Sequence, residues 1–72
     1  MSDNRVIWVS PLAEGWAVFC VGLEPLIFRS GGRAEAEARR LALVLAKLGR
    51  AVQVRIQDRA RNPVGTLLYP AM

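Results

Sequence analysis

Residues 32–49 read GRAEAEARRLALVLAKLG, and this is the one strongly helical stretch of the chain. Ala34, Ala38, Leu41, Leu45 and Leu48 recur at steps of three and four, which places them on one face of a 3.6-residue helix. Ala42 and Val44 widen that stripe. Ala36, Arg39, Arg40, Leu43 and Lys47 fall on the other side, the pattern of a helix lying on an apolar surface. Ala, Leu, Glu, Arg and Lys dominate, and only Val44 is β-branched, so propensity agrees with periodicity.

The ends of the stretch are marked. Glu35 and Glu37 in the first turns and Lys47 in the last complement the helix dipole. Glu35 reaches Arg39 at i,i+4, and Glu37 reaches Arg40 at i,i+3. Gly32 followed by Glu35 makes half a capping box, with Ser30 as the rival cap. Gly49 suits the left-handed residue that stops a helix. Small residues at the start of the stripe and leucines at its end let the first turns approach the partner surface more closely. That partner reads as a β-sheet.

On either side the periodicity changes to that of strands. Residues 5–10 (RVIWVS) are β-branched and aromatic, and Pro11 follows. Residues 16–21 (WAVFCV) make a second strand, close enough to pair with the first as an antiparallel hairpin. Gly22 to Pro25 form a turn, and residues 26–29 (LIFR) a short third strand. After Gly49, residues 51–57 alternate: Val52, Val54 and Ile56 point one way, and Gln53, Arg55 and Gln57 the other. Residues 58–65 (DRARNPVG) read as a polar turn and residues 66–69 as a last short strand ended by Pro70.

The expected architecture is α+β, in the order β-β-β-α-β-β. A mostly antiparallel sheet carries the one helix on one face, with the fourth strand beside the first. Seventy-two residues make a single small domain with an ordered core at about residues 5–69.

A chain this short buries roughly 60% of its unfolded surface and needs additional stabilisation. The single cysteine supplies no internal disulfide, and the absence of histidine leaves Cys20 with a poor zinc ligand set. Oligomerisation is the remaining common remedy. Hydrophobic residues make up 53% of the chain, yet no apolar run reaches the length of a membrane span. The N-terminus, MSDNRVIW, lacks a basic leader region, and with one lone cysteine the expected location is the cytoplasm.

The fourth strand has one wet face, but the first two strands have none. Val6 and Trp8 alternate with Ile7 and Val9, and Trp16, Val18 and Cys20 alternate with Ala17, Phe19 and Val21. Strands apolar on both faces need cover on both, and one helix covers one. The other face is an exposed patch or an interface. The expected partner is a second copy of the chain. Candidate interface residues are Val6, Ile7, Trp8, Val9, Trp16, Val18, Phe19 and, from the helix, Leu43. Either Trp8 with Val6 or Ile7 with Val9 belongs to that surface.

The chain also resembles a family of short uncharacterised bacterial proteins. The residues that carry the resemblance are Gly15-Trp16-Ala17-Val18 in a strand, Ala34-Glu35-Ala36 opening a helix, Leu41-Ala42, Leu45-Ala46 and Gly49, and a Val-x-Val-x-Ile strand running into Asp58-Arg59. Those proteins carry a Gly-Trp-x-Val strand, a Glu-Ala-x-x-x-Ala helix and a strand ending in an Asp-Gly turn. Here a longer loop, residues 58–65, replaces that turn. The resemblance spans roughly residues 5–69; it implies the same element order and adds nothing about chemistry.

Catalytic chemistry finds little footing. Cys20 lies in an apolar strand with no histidine to activate it, so it reads as a packed thiol. The carboxylates Asp3, Glu14, Glu24, Glu35, Glu37 and Asp58 are scattered and form no acid–base pair. Gly31-Gly32 before a helix lacks the lysine and serine of a phosphate-binding loop. The expectation is a non-enzyme without metal or cofactor.

The net charge is +4, and arginine supplies nearly all of it, Lys47 being the only lysine. Arginine's planar fork matches phosphate. The alternative function is therefore single-stranded nucleic-acid binding. Trp8 and Trp16 would stack on bases, with Arg5, Arg29 and Arg55 beside them. Arg50, Arg59 and Arg61 would form a second basic patch at the ends of the fourth strand.

Overall fold

A computed structural model describes residues 5–72. The elements are β1 (Arg5–Leu12), β2 (Gly15–Cys20), β3 (Leu26–Phe28), α1 (Gly31–Lys47), β4 (Val52–Gln57) and β5 (Pro63–Tyr69). They form one five-stranded sheet in the order β3-β2-β1-β4-β5, with α1 packed on one face. The pair β1–β4 is parallel and the other three pairs are antiparallel. The sequence-derived class, element order and β1–β4 neighbourhood all hold.

The hairpin between β1 and β2 is tight: Leu12 pairs with Gly15 across the two residues Ala13 and Glu14. β1 does not stop at Pro11 but runs through it to Leu12. Its parallel register with β4 ends at Val9, so Pro11 sits where β1 pairs with β2 alone. A residue without an N–H is tolerated there. Gly15 has φ 156°, and a Cβ on it would lie 2.6 Å from the carbonyl oxygen of Phe28 on β3. Glycine at this position lets β3 close onto β2.

The helix begins earlier than its capping-box residues suggested. Ser30 is the N-cap in extended backbone, and its Oγ accepts from the Arg33 N–H at 3.1 Å. Gly32 lies inside the helix, and the first turn holds no acidic residue. At the other end the Gly49 N–H donates to the Ala46 carbonyl and the Arg50 N–H to the Leu45 carbonyl. With Gly49 at φ 87°, this is the Schellman arrangement that satisfies the last carbonyls. Glu35 pairs with Arg39 at 2.5 Å, and Glu37 pairs with Arg40.

The buried ridge of α1 is Ala34, Ala38, Ala42 and Ala46, all 0% exposed. An alanine every fourth residue brings the helix backbone close to the sheet, with Leu41 and Leu45 packed at the side. Ala42 is therefore central rather than flanking. Leu48, expected in the stripe, is 70% exposed, because it is the C-cap residue where the chain turns away.

The helix covers Ile7 and Val9 of β1, Val18 and Cys20 of β2, and Val52 and Val54 of β4. Trp16, Phe28, Ile56, Leu67 and Tyr69 ring that core. Trp16 packs on the first turn of α1, where a Cβ on Gly31 would lie 3.0 Å from its ring.

The loop before β5 is shorter than expected, and β5 starts at Pro63 rather than Thr66. One carboxylate folds it: Asp58 Oδ1 accepts from the N–H groups of Ala60 and Asn62, each at 2.9 Å. Arg61 takes the left-handed conformation, φ 63°. The β4–β5 register slips between Ile56 and Gln57, leaving Val64 as the extra residue of a bulge.

Candidate functional site: the uncovered face of the sheet

Alternation puts the remaining strand residues on the face opposite the helix, and strand register places them in rows. One row runs Phe19, Trp8, Arg55, Thr66 across four strands. A second runs Ile27, Ala17, Ser10, and a third Val6, Gln53, Leu68. Read by columns, β3, β2 and β1 present apolar residues. β4 presents Gln53, Arg55 and Gln57, the polar outer face that its alternation predicts.

The apolar part is accessible. Val6 and Trp8 are half-buried, while Phe19 is 38% and Ile27 63% exposed. Ser10 and Ala17, short side chains paired across the hairpin, are buried.

Trp8 is held from one side. The Arg55 guanidinium lies 5.2 Å from the centre of its ring, within cation–π range. Gln53 Oε1 in turn accepts from Arg55 Nε at 3.2 Å and Nη2 at 3.0 Å. Trp8, Gln53, Arg55, Ile56, Gln57, Pro63 and Thr66 line an open cleft of about 380 Å³. It offers an aromatic wall, a guanidinium and two amides to an incoming group.

The structure corrects part of the candidate interface. Ile7, Val9 and Val18 are at most 2% exposed beneath the helix and present nothing to a partner. Trp16 also belongs to the helix side, between Gly31 and the guanidinium of Arg59, 5.0 Å from its ring. Val6, Trp8 and Phe19 remain on the open face. Leu43 is 38% exposed on the far side of α1 and does not join them. Ile27 and Leu68 also belong to the open face, and β3 and β5 are too short or too irregular for their phase to be read from the sequence.

The arginines do not converge either. Arg50 precedes β4, whereas Arg59 and Arg61 follow it, so a six-residue strand of about 20 Å separates them. Arg59 Nη1 donates to the Leu12 carbonyl at 2.6 Å, which ties the β4–β5 loop to the β1–β2 hairpin. No local pattern in the sequence signals this contact across 47 residues. Arg55 alone of the four lies on the open face beside an aromatic ring. The guanidinium of Arg40 on α1 is held above its usual value by its hydrogen bond to Glu37, and secondarily by that residue's charge.

Cys20 is 8% exposed and lines a separate apolar cleft of about 250 Å³ with Val18, Leu23, Glu24, Leu26 and Leu41. Among the described residues no three metal-ligating side chains come together. Asp3 lies outside the described residues. No helix among them is long and apolar enough to cross a membrane.

The chain matches no protein-family model, and neither curated proteins nor solved structures give a match.

Proposed function

We propose that this chain is a non-catalytic interaction module that self-associates through the uncovered face of its sheet, in a reducing compartment such as the cytoplasm. One observation carries the reading. Val6, Trp8, Phe19 and Ile27 form an apolar surface on three adjacent strands, with no described element of the chain over it. A second copy is the occupant that fits. The four residues are uncharged in a chain of net charge +4, and the Arg55 guanidinium that borders them is held by the Trp8 ring and the Gln53 amide. A domain of this size also gains needed stability by burying apolar area at about 25 cal/mol per Å². Trp8, half-buried and braced by Arg55, is suited to the central anchor of such an interface.

The test is sedimentation of the purified protein at micromolar concentration. Assembly beyond one 7.9 kDa chain is expected, and Phe19→Glu should weaken it at least tenfold while the isolated chain stays folded. A monomer across that range would remove the proposal.

A second reading rests on the row Phe19–Trp8–Arg55. Two adjacent aromatic rings and a guanidinium on an open sheet face are the parts of a stacking platform for single-stranded nucleic acid. It predicts oligonucleotide binding at low salt that falls steeply as salt rises and weakens with Arg55→Glu. The two readings separate cleanly, since self-association needs no ligand and depends little on salt.

A further inference from the structure

The cleft beside Trp8 is lined by one cation and by no carboxylate, so it favours an anion. Its volume of about 380 Å³ falls at the low end of the range of small-molecule sites, about 300–1,000 Å³. Its floor is on β4 and β5, beside the apolar residues that β2 and β3 present on the same face.

Arg55 is set in place before any ligand arrives. Its guanidinium lies 5.2 Å from the centre of the Trp8 ring, and the Nε–Nη2 edge donates to Gln53 Oε1. The Nη1–Nη2 fork at the tip is left for two oxygens of a phosphate. The side chains of Gln57 and Thr66 line the same cleft and make no hydrogen bond with another described residue. A glutamine amide offers a donor and an acceptor side by side, the pair that fits the N6/N7 edge of adenine. Ile56 and Pro63 add apolar wall for a flat body.

We infer that this cleft holds one nucleotide unit, its phosphate on the Arg55 fork and its base edge on the Gln57 amide. As a unit of a single strand, the nucleotide rests on the nucleic-acid reading above; as a free nucleoside monophosphate, it does not.

The test is titration of the isotope-labelled chain at low salt, read by nuclear magnetic resonance shifts. The probes are adenosine monophosphate, adenosine, inorganic phosphate and a short single-stranded oligoadenylate. Adenosine monophosphate should shift Arg55, Gln57 and Thr66 and bind about tenfold or more tighter than adenosine or phosphate alone. Arg55→Lys keeps the charge but loses the fork, and should weaken that binding about tenfold. Gln57→Leu should weaken the nucleotide and leave inorganic phosphate unchanged. The same spectra show whether each variant is folded. Phosphate binding as tightly as the nucleotide, or nucleotide binding that both substitutions leave unchanged, would overturn the inference.

The strand and the free nucleotide separate in the same titrations. If the oligonucleotide binds tighter and shifts the same three residues, the cleft site and the single-strand reading both stand. If adenosine monophosphate binds in the cleft and the oligonucleotide does not bind, the site stands and the single-strand reading fails. If the oligonucleotide shifts Phe19 and Trp8 while adenosine monophosphate leaves Gln57 and Thr66 unmoved, the site fails and the single-strand reading survives. No binding of any probe removes both.

Discussion

Ile7 and Val6 are neighbours on one strand, alike in size and hydrophobicity, yet they lie on opposite faces of the sheet. Ile7 is 0% exposed in a core closed by the alanine ridge of α1, whereas Val6 is half-buried on a face that no other described element reaches. The same holds for Val9 and Trp8. What separates them is the helix, not the residue. The described residues hold one helix for two apolar faces, and it covers the one that carries Ile7 and Val9.

The largest expected effect breaks this comparison directly. Ile7→Ala should cost about 2–5 kcal/mol of unfolding free energy, read from urea melts, since it opens a cavity in a rigid core. That loss should be the same at every protein concentration. Val6→Ala should cost about 1 kcal/mol or less in dilute protein, where its surroundings are open, and more as concentration rises. Equal and concentration-independent losses at the two positions would mean that both faces are covered within the single chain.

The next effect sharpens why the helix-side face is so tightly closed. Ala38 sits in the middle of the alanine ridge at 0% exposure. Ala38→Leu should destabilise by about 1–3 kcal/mol through overpacking, although leucine is more hydrophobic. Ala36→Leu, on the outer side of α1, should change stability by about 0.5 kcal/mol or less. Gly15→Ala belongs with the first of these, because its Cβ would meet the Phe28 carbonyl at 2.6 Å.

Much of this layout was readable in the residues, and the gaps have physical causes. The helix and β4 stand out because their apolar residues keep a single period, 3.6 or 2. The two-sided greasiness of β1 and β2 was also readable, and with it the expectation of an uncovered apolar face. Which face meets the helix was not, because Val6, Ile7, Trp8 and Val9 are equally apolar in either phase. Long-range contacts settle it: Trp16 against Gly31, and Cys20 opposite Ile7. The ridge Ala34–Ala38–Ala42–Ala46 is visible as a strict four-residue repeat, but leucines weigh more in a hydrophobic stripe and drew the face toward Leu48. β5 was cut short because Asn62-Pro63 and Gly65 resemble a turn; the turn in fact closes earlier, around the Asp58 carboxylate.

A smaller effect tests the helix start. Ser30→Ala removes the acceptor for the Arg33 N–H and should cost about 1 kcal/mol, while Ser30→Asp, which restores an acceptor, should recover most of it. Gly32→Ala should not reproduce the loss, since Gly32 lies inside the helix with open space around it. A larger loss at Gly32 than at Ser30 would move the cap back to the glycine.

The smallest expected effect lies on the side of the molecule farthest from the open face. Glu35→Gln breaks the pair with Arg39 on the solvent side of α1 and should cost about 0.2–0.5 kcal/mol at low salt, fading as salt is raised. It should leave the sedimenting mass untouched, because neither residue belongs to the sheet surfaces. Phe19→Glu also alters a charge on an exposed surface, but it should act on mass and hardly on the melting of the dilute chain. The contrast between these two substitutions tests the proposed role of the uncovered face: charge on the helix side should tune folding slightly, whereas charge on the sheet side should change association. If Glu35→Gln shifted the mass as much as Phe19→Glu, the partner would be meeting the helix, and the open face of β1 and β2 would have lost its purpose.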